Sequence, residues 1–281
     1  MPDSEPPAVS VAIPVRNGAA TIGEQLEAVL TQECAAPFEV VVADNGSTDA
    51  TAAVVAAFAA RDGRVHLVAA ADEASEAGAR NAALAACRAP IVACCDADDV
   101  VRPGWLAAIV EAFAGGAHAV SVTREYWTLN PGFREAGFPA THLNTWLAGG
   151  AFAVRRDLYL ELGGFDPTMP VCADTEFGFR LQRSTGRRAV PLPDAVVSVR
   201  LARDSVAVFR RARRQARTWP ELQRRHPTEM APAAADMPAL RRRMAWWLLR
   251  NVPLVASRRR LRWVEVAGTC LGEFEGSIRD A

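Results

Sequence analysis

The sequence contains no lysine, so all 32 of its basic residues are arginines. They balance 32 acidic residues, but residues 200–262 hold 17 Arg against 4 Asp or Glu. A basic segment of this kind can contact nucleic acid, an anionic membrane surface or the acidic remainder of its own chain. Solvated helix faces with internal ion pairs are the plainer alternative, and composition leaves all of these open.

Cysteine motifs and long apolar runs are missing as well. The six cysteines include no C-x-x-C pair, which argues against a zinc site or a disulfide framework. Residues 1–8 lack the basic start and apolar core of a signal peptide, and the apolar stretch 244–256 is too short to span a bilayer. We therefore expect a cytoplasmic protein, and peripheral contact with the inner face of a membrane stays an open alternative.

The first hundred residues alternate between short apolar runs and helix-like segments. These predict strands at Val9–Ile13, Phe38–Ala43, Val65–Val68 and Ile91–Cys95, and helices at Thr21–Thr31, Asp49–Ala60 and Ser75–Cys87. Apolar strands that alternate with helices are typical of βαβ units, in which helices cover both faces of a parallel sheet. Thr21 and Glu24 have the spacing of a capping box.

Beyond residue 118 the pattern becomes irregular, and residues 123–144 predict a long loop of the kind that usually serves a function. Order returns with a strand at 151–154 and helices at 157–162 and 174–184. We expect an α/β domain with a mostly parallel sheet over residues 1–200. Residues 201–281 should form a basic helical C-terminal extension.

Polar residues follow the ends of three predicted strands. They are Arg16-Asn17, Asp44-Asn45 and the segment Asp96-Ala97-Asp98-Asp99. The carboxyl ends of parallel strands share one edge of a sheet, where α/β proteins bind ligands. Three acids within four residues repel one another unless a cation or hydrogen-bond donors compensate, and carboxylates suit Mg²⁺ or Mn²⁺. An acidic turn that caps the following helix is the alternative.

Five motifs occur in an order and spacing that resemble the family-2 glycosyltransferases, which have the GT-A fold. They are Val9–Asn17, Glu39–Asp49, Gly78–Asn81, Cys95–Asp99 and Gly163–Asp166, followed by Asp174. The resemblance covers nearly the first 190 residues, whereas the G-x-G-x-x-G and P-loop fingerprints are both absent. It implies that a sugar moves with inversion from a nucleotide-diphosphate sugar to an acceptor hydroxyl. A UDP-sugar is favoured, and dTDP- and GDP-sugars stay open.

The resemblance also implies a role for each matching residue. The positions that would bind the nucleotide sugar are Pro14, Arg16, Asp44, Asn45, Arg80, Asp96, Ala97 and Arg200. Asp98, together with Asp96, would hold Mg²⁺ or Mn²⁺. Asp174 would be the general base, with Glu176 as a fallback.

Three positions depart from the family pattern. Asn45 replaces a usual acid, Ala173 replaces the first residue of a Glu-Asp pair, and Arg200 replaces a histidine that many relatives carry. A guanidinium cannot bind a cation, but it can bind a diphosphate directly. These departures keep open the alternative of a catalytically impaired nucleotide-sugar-binding protein. A nucleotidyltransferase, which has a similar sheet and an acidic metal site, is a second alternative.

Acceptor and partner remain less defined. Residues 123–150 would carry acceptor specificity, and a glycan, a lipid-linked sugar or a small molecule would each fit. The segment 246–249, bordered by arginines at 241–243 and 258–260, is typical of a helix at a membrane interface. Packing within a helical subdomain or a homodimer contact would explain the same residues.

Overall fold

The computed structural model describes residues 5–70, 75–144, 146–147, 150–169, 171–202, 204–256 and 260–278. The chain divides into two compact units. The first consists of Met1–Glu125 with Thr141–Val199, and the second of Tyr126–Ala140 with Arg200–Ala281. Independent domains at 1–200 and 201–281 stay a prediction.

The first unit contains one sheet and six helices among the residues that the structure describes. Its elements are β1 (Val9–Val15), α1 (Ile22–Leu30), β2 (Phe38–Asp44), α2 (Thr51–Arg61), β3 (Val65–Ala69), α3 (Glu76–Ala86), β4 (Ile91–Cys94), β5 (Val100–Val101), α4 (Trp105–Ala114), β6 (Ala119–Glu125), β7 (Thr141–His142), β8 (Phe152–Arg155), α5 (Arg156–Glu161), α6 (Ala173–Thr185) and β9 (Val190–Ser198). The strand order is β3-β2-β1-β4-β8-β6-β9-β5, and β7 pairs with β6. This mixed α/β architecture confirms the predicted fold class.

The parallel part of the sheet, β3-β2-β1-β4, places three strand ends at one edge. β1 pairs in parallel with both β2 and β4, so their carboxyl ends point the same way. Val11, Ile13, Val40 and Val42 are completely buried in these strands. Such residues form strands here because β-branched side chains pack well on a pleated surface that helices cover on both sides.

The prediction of an irregular segment from residue 118 onward was partly wrong, because the segment begins with the seven-residue strand β6. Ser121 and Thr123 made this segment look polar, yet both side chains are buried. The hydroxyl of Ser121 donates to the carbonyl of Asn144 at 2.5 Å, and that of Thr123 donates to Pro193 at 3.0 Å. A hydroxyl with such a partner can be buried at little cost.

The expected capping box of α1 is also absent. No side-chain hydrogen bond caps this helix at Thr21, whose hydroxyl instead donates to the carbonyl of Gly18 at 3.4 Å. Helix α3 does carry a side-chain cap, because Oγ of Ser75 accepts from the amide of Gly78 at 3.0 Å.

The second unit is helical over most of its described residues. Its helices are α7 (Ser205–Arg225), α8 (Pro227–Arg250), the 3-10 helix Val252–Ala256 and α9 (Arg260–Ile278). Pro220 lies inside α7 rather than separating two helices. Across the part of the chain described, no helix combines the length and the apolar character that a membrane crossing needs.

Helices α7 and α9 pack backbone to backbone through three glycines spaced four residues apart. A Cβ atom on Gly272 would lie 2.1 Å from the carbonyl oxygen of Arg213. Gly268 and Gly276 face the carbonyls of Phe209 and Arg217 in the same way. Only glycine permits this approach, because any other residue would place its side chain inside α7.

Candidate active site

Hydrogen bonds of the segment 45–49, which follows β2, join it to the loop after β1. The amide of Asn17 donates to Oγ of Ser47 at 2.9 Å, and the amide of Thr48 donates back to Oδ1 of Asn17 at 2.8 Å. Asp49 accepts from the amide of Ala19 at 3.1 Å. A hydrogen bond from the Thr51 hydroxyl lowers the pKa of Asp49. These motif residues therefore shape the backbone at this edge.

Four of the predicted nucleotide-binding residues lie together on these joined strand ends. Val15 pairs with Asp44 in the β1–β2 register, which puts Pro14 and Arg16 beside Asp44 and Asn45. The amide of Asn45 donates to the carbonyl of Val15 at 2.8 Å. The side chain of Arg16 is exposed, whereas those of Asp44 and Asn45 are partly buried.

The acidic loop between β4 and β5 presents its carboxylates in different settings. The side chain of Asp96 is 29% exposed, Asp98 is exposed, and Asp99 is buried. A Cβ atom on Gly150 would lie 2.3 Å from Oδ1 of Asp96, so backbone of the first unit packs directly against this carboxylate. Asp96 and Asp98 thus face different surroundings, although Ala97 alone separates them.

A buried glutamine that we did not select from the sequence holds this loop at both ends. The side chain of Gln25 donates from Nε2 to the carbonyl of Asp96 at 3.1 Å and accepts from the amide of Val101 at 3.0 Å. Gln32 makes the same kind of bridge one step later, to Arg102 and Leu106. The sequence does contain a signal for this role. Gln25 lies on an otherwise apolar face of α1, and Gln32 follows the helix seven residues later.

Arg80 is buried in α3 and connects several acids. Its Nη2 lies 2.9 Å from Oδ1 of Asp96, and its Nη1 lies 2.8 Å from Oε1 of Glu76. Burial works against its charge, but the negative charges of Asp96, Glu76 and Asp174 raise the pKa of Arg80 above its ordinary value. The guanidinium therefore places the acidic loop and the start of α6 in one electrostatic group.

Asp174 lies in the first turn of α6 and is only 5% exposed. The helix begins at Ala173, and its N-cap is Cys172, which has a left-handed backbone with φ of 62° and no side-chain cap. Asp174 therefore lies inside the helix and is not its N-cap. Its Oδ1 accepts from the amide of Thr175 at 2.7 Å. Positive φ at a residue other than glycine is costly and clusters at functional sites.

The fallback base Glu176 is engaged by Arg180. Nε of Arg180 donates to Oε1 of Glu176 at 2.8 Å, and Nη2 donates to Oε2 at 2.8 Å. The same guanidinium donates to the carbonyls of Leu162 and Gly164. Glu176 thus orients an arginine that closes the turn after α5.

Two of the family motifs meet at that turn. Oδ1 of Asn81 accepts from the amide of Phe165 at 2.9 Å, and its Nδ2 donates to the carbonyl of Phe165 at 2.9 Å. Gly164 has φ of 71°, and a Cβ atom there would lie 2.7 Å from Oη of Tyr159. Asn81 and Gly164 therefore hold α3 to the segment before α6, which fixes Arg80 near Asp174.

Asp96 and Asp98 are the carboxylates that could bind a divalent cation. Within the described residues no three His, Cys, Asp or Glu side chains form a group that could hold a metal. Mg²⁺ needs fewer, because it usually binds through one or two carboxylates together with substrate phosphates and water. Asp96 and Asp98 meet that smaller requirement in residue type. Arg200, which follows β9, belongs to the second unit.

The chain is similar to known proteins both in sequence and in fold. The model of "Glycosyl transferase family 2" matches residues 10–173, which is more than half of the chain. The chain belongs to glycosyl transferase family 2. The matched range of this glycosyltransferase includes the ends of β1, β2 and β4 and the buried Arg80, and it ends one residue before Asp174.

Two curated relatives come from Rhizobium meliloti (strain 1021). The succinoglycan biosynthesis protein ExoO is 43% identical over 112 residues, which are 40% of this chain and 31% of ExoO. The succinoglycan biosynthesis protein ExoU is 38% identical over 106 residues, which are 38% of this chain and 30% of ExoU. The aligned region thus spans less than a third of either relative.

Solved structures show the same fold over almost the whole glycosyltransferase. The mannosyltransferase PcManGT from Pyrobaculum calidifontis, in complex with GDP-Man and Mn²⁺, superimposes with a TM-score of 0.67 at 23% identity, over 99% of this chain and 89% of its own. Residues 1–349 of TarS from S. aureus, in complex with UDP, give a TM-score of 0.56 at 16% identity, over 97% and 91%. The GT-A fold is therefore confirmed.

Proposed function

We propose that this glycosyltransferase moves a sugar, with inversion, from a nucleotide-diphosphate sugar to an acceptor hydroxyl, with Asp174 as the general base. The observation that carries the proposal is the Arg80 guanidinium, which bonds Asp96 and lies within electrostatic reach of Asp174. It brings a base candidate and a donor-site carboxylate together at the sheet edge where ligands of α/β proteins bind.

The nucleotide would occupy the joined ends of β1 and β2. Pro14, Arg16, Asp44 and Asn45 would contact the base, and Asp96 with the Ala97 backbone would contact the ribose. The amide oxygen of Asn45 can still accept from uracil N3–H, so a UDP-sugar fits, but this replacement of an acid weakens the selection of uracil. The similar structures contain GDP-Man and UDP, which supports a nucleotide-diphosphate donor and leaves GDP- and dTDP-sugars open.

Asp98 and Asp96 would hold Mg²⁺ or Mn²⁺ in the donor complex, and Mn²⁺ in the PcManGT structure supports this cofactor. The cation would neutralise charge on the departing diphosphate. The contribution of Arg80 to donor binding would be partly indirect. Its Nη2 fixes the Asp96 carboxylate, while its Nε is buried without a hydrogen-bond partner among the described residues.

During transfer Asp174 would accept the proton of the acceptor hydroxyl. The acceptor oxygen forms a bond to the anomeric carbon on the face opposite the diphosphate, and the bond from that carbon to the diphosphate oxygen breaks. The electron pair of the broken bond leaves with the nucleotide diphosphate. A contact of Arg200 with the diphosphate, which the family resemblance implies, stays a prediction. A glycan, a lipid-linked sugar or a small molecule would serve as acceptor.

The test compares Asp174→Asn with Asp157→Asn, a control at an exposed carboxylate of α5. UDP-, GDP- and dTDP-sugars are first screened by thermal shift with Mn²⁺ and with EDTA. Transfer and donor hydrolysis are then measured with the sugar that binds. We expect Asp174→Asn to lose at least about a hundredfold in rate, the typical effect of general base catalysis. Donor affinity should change by less than about threefold.

Three results would contradict the proposal. An active Asp174→Asn variant would remove this residue from its role. Donor binding by the unaltered protein without transfer or hydrolysis would indicate a catalytically impaired binding protein. Release of pyrophosphate from a nucleoside triphosphate would indicate a nucleotidyltransferase.

The cytoplasm, where the free cysteines would stay reduced, stays the predicted location.

A further inference from the structure

The end of α8 and the 3-10 helix after it carry an apolar patch, defined as Trp246, Leu249, Val252 and Val255. Their exposed fractions are 59%, 77%, 52% and 45%. Trp246 and Leu249 are three residues apart on an α-helix, so they share a face. Val252 and Val255 are three apart on a 3-10 helix, so they share one too. Large exposed apolar side chains on two consecutive elements, rimmed by polar residues, are typical of an interaction surface.

The segment that carries the apolar patch has charges of one sign. Residues 241–262 contain eight Arg and no Asp or Glu. Arg241 pairs with Glu273 and Arg262 with Glu265, whereas Arg242, Arg243 and Arg250 have exposed side chains. The guanidinium of Arg250 lies 5.0 Å from the centroid of the Trp246 ring. Arg258 and Arg259 lie outside the described residues. The partner of this surface should therefore be apolar in its interior and anionic at its face.

We propose that the apolar patch docks onto the surface of a bilayer that contains anionic lipids, with the end of α8 lying in the interface plane. A bilayer supplies both properties, because headgroups attract arginines while the acyl boundary takes up Trp, Leu and Val side chains. Tryptophan is enriched at that depth, and arginine can extend its head group to the phosphates from a buried stem.

Neither a second copy of the chain nor nucleic acid matches both the charge and the apolar side chains of this surface. In a two-fold dimer the same surface of each copy meets itself, so Arg242, Arg243 and Arg250 would face one another without any acid from the same segment. Nucleic acid would satisfy the arginines but would leave the aliphatic side chains of Leu249, Val252 and Val255 without an apolar partner. An anionic bilayer accommodates the whole surface.

The experiment is co-sedimentation of the full chain with vesicles of phosphatidylcholine, alone or with phosphatidylglycerol, in the absence of nucleotide sugar. Leu249→Glu tests the apolar patch, and Leu160→Glu, at a leucine of α5 that is 48% exposed, is its control. Arg242→Gln with Arg243→Gln tests the charge. Arg210→Gln with Arg211→Gln makes the same change of net charge on α7.

We expect binding to the anionic vesicles and little binding to phosphatidylcholine alone. The double Arg242/Arg243 change should weaken the partition coefficient roughly thirtyfold, since each basic residue near an anionic surface contributes about a factor of five. Leu249→Glu should weaken the partition coefficient by about tenfold or more. It removes an apolar side chain that the bilayer would bury, and it adds a negative charge that the anionic lipids repel. Both controls should stay within about threefold.

Several outcomes would overturn the proposal. They are no vesicle binding, equal losses in test and control variants, and preferential binding to a nucleic-acid duplex. A dimer of the unaltered chain in light scattering that Leu249→Glu dissociates would identify a second copy as the occupant. Because no donor or acceptor is present, this experiment can fail while the proposed sugar transfer stands, and the reverse also holds.

Discussion

The Gln25 bridge gives the sharpest test of how the acidic loop is built. We consider Gln25→Met, which keeps the length of the side chain and removes its amide. The amide of Val101 then loses this partner, and the carbonyl of Asp96 keeps only the amide of Asp99 at 3.3 Å, in a region where Gln25 itself is fully buried. An unsatisfied buried group costs about 1–3 kcal/mol, and part of this is offset because no amide is desolvated. We expect the free energy of unfolding to fall by about 1–2 kcal/mol.

Gln32→Met is the matched control because Gln32 bridges Arg102 and Leu106 in the same way. Urea unfolding should show a similar loss of stability for both variants. Calorimetry with the donor and Mn²⁺ should separate them. Gln25→Met releases Asp96, so its donor Kd should rise by about tenfold, or 1.4 kcal/mol, whereas Gln32→Met should stay within about twofold.

Two results would refute this reasoning. If both variants weakened the donor equally, the effect would come from general destabilisation and not from the position of Asp96. If Gln25→Met lost stability but kept its donor affinity, then the Asp96 carbonyl would not need this anchor, and the acidic loop would hold its shape by other contacts.

Three further predictions concern stability. Arg80→Met should lower the free energy of unfolding in urea by about 2–3 kcal/mol, less than for a fully buried pair because Asp96 is partly exposed; combining it with Asp96→Asn should recover part of the loss. Gly272→Ala should cost about 1–3 kcal/mol in thermal unfolding, since its Cβ would overlap the Arg213 carbonyl, and an unchanged melting temperature would contradict the close packing. Burial raises the pKa of Glu39, but its hydrogen bonds outweigh this effect and lower the pKa below 4.5. The stabilising contribution of Glu39 is therefore complete above about pH 4.5 and is lost as the pH falls through the lower pKa of the folded state. Glu39→Gln should therefore remove this acid-sensitive component from the pH dependence of unfolding, and an unchanged acid limb would refute it.

The sheet edge could be predicted because its cause is local. β1, β2 and β4 are short apolar runs, and runs that are apolar on both faces have few structural alternatives in a chain that alternates strand and helix. The polar residues that follow them must then meet at one edge. This reasoning needs no knowledge of distant contacts, and it predicted that Asp44 and Asp96 lie at the same edge of the sheet, after two strands that both pair with β1.

What could not be predicted depends on contacts that are distant in sequence. β6 was missed because Ser121 and Thr123 look exposed until their carbonyl partners, 23 and 70 residues away, are known. Gln25 was missed for the same reason, since its partners lie 71 and 76 residues away. A polar residue on an apolar helix face is ambiguous until a buried partner resolves it.

A family motif also mixes residues that face a ligand with residues that hold the backbone, and the two carboxylates of α6 show how a structure separates them. Glu176 and Asp174 are both acidic, both buried and only two positions apart. Glu176 has both carboxylate oxygens bound by Arg180, whose remaining donors close the turn at Gly164, so Glu176 serves to hold that turn. Asp174 follows a left-handed N-cap and lies in the field of Arg80, which also holds Asp96, the carboxylate that we propose for the donor site. For this reason Asp174, and not Glu176, is the residue we assign as the base.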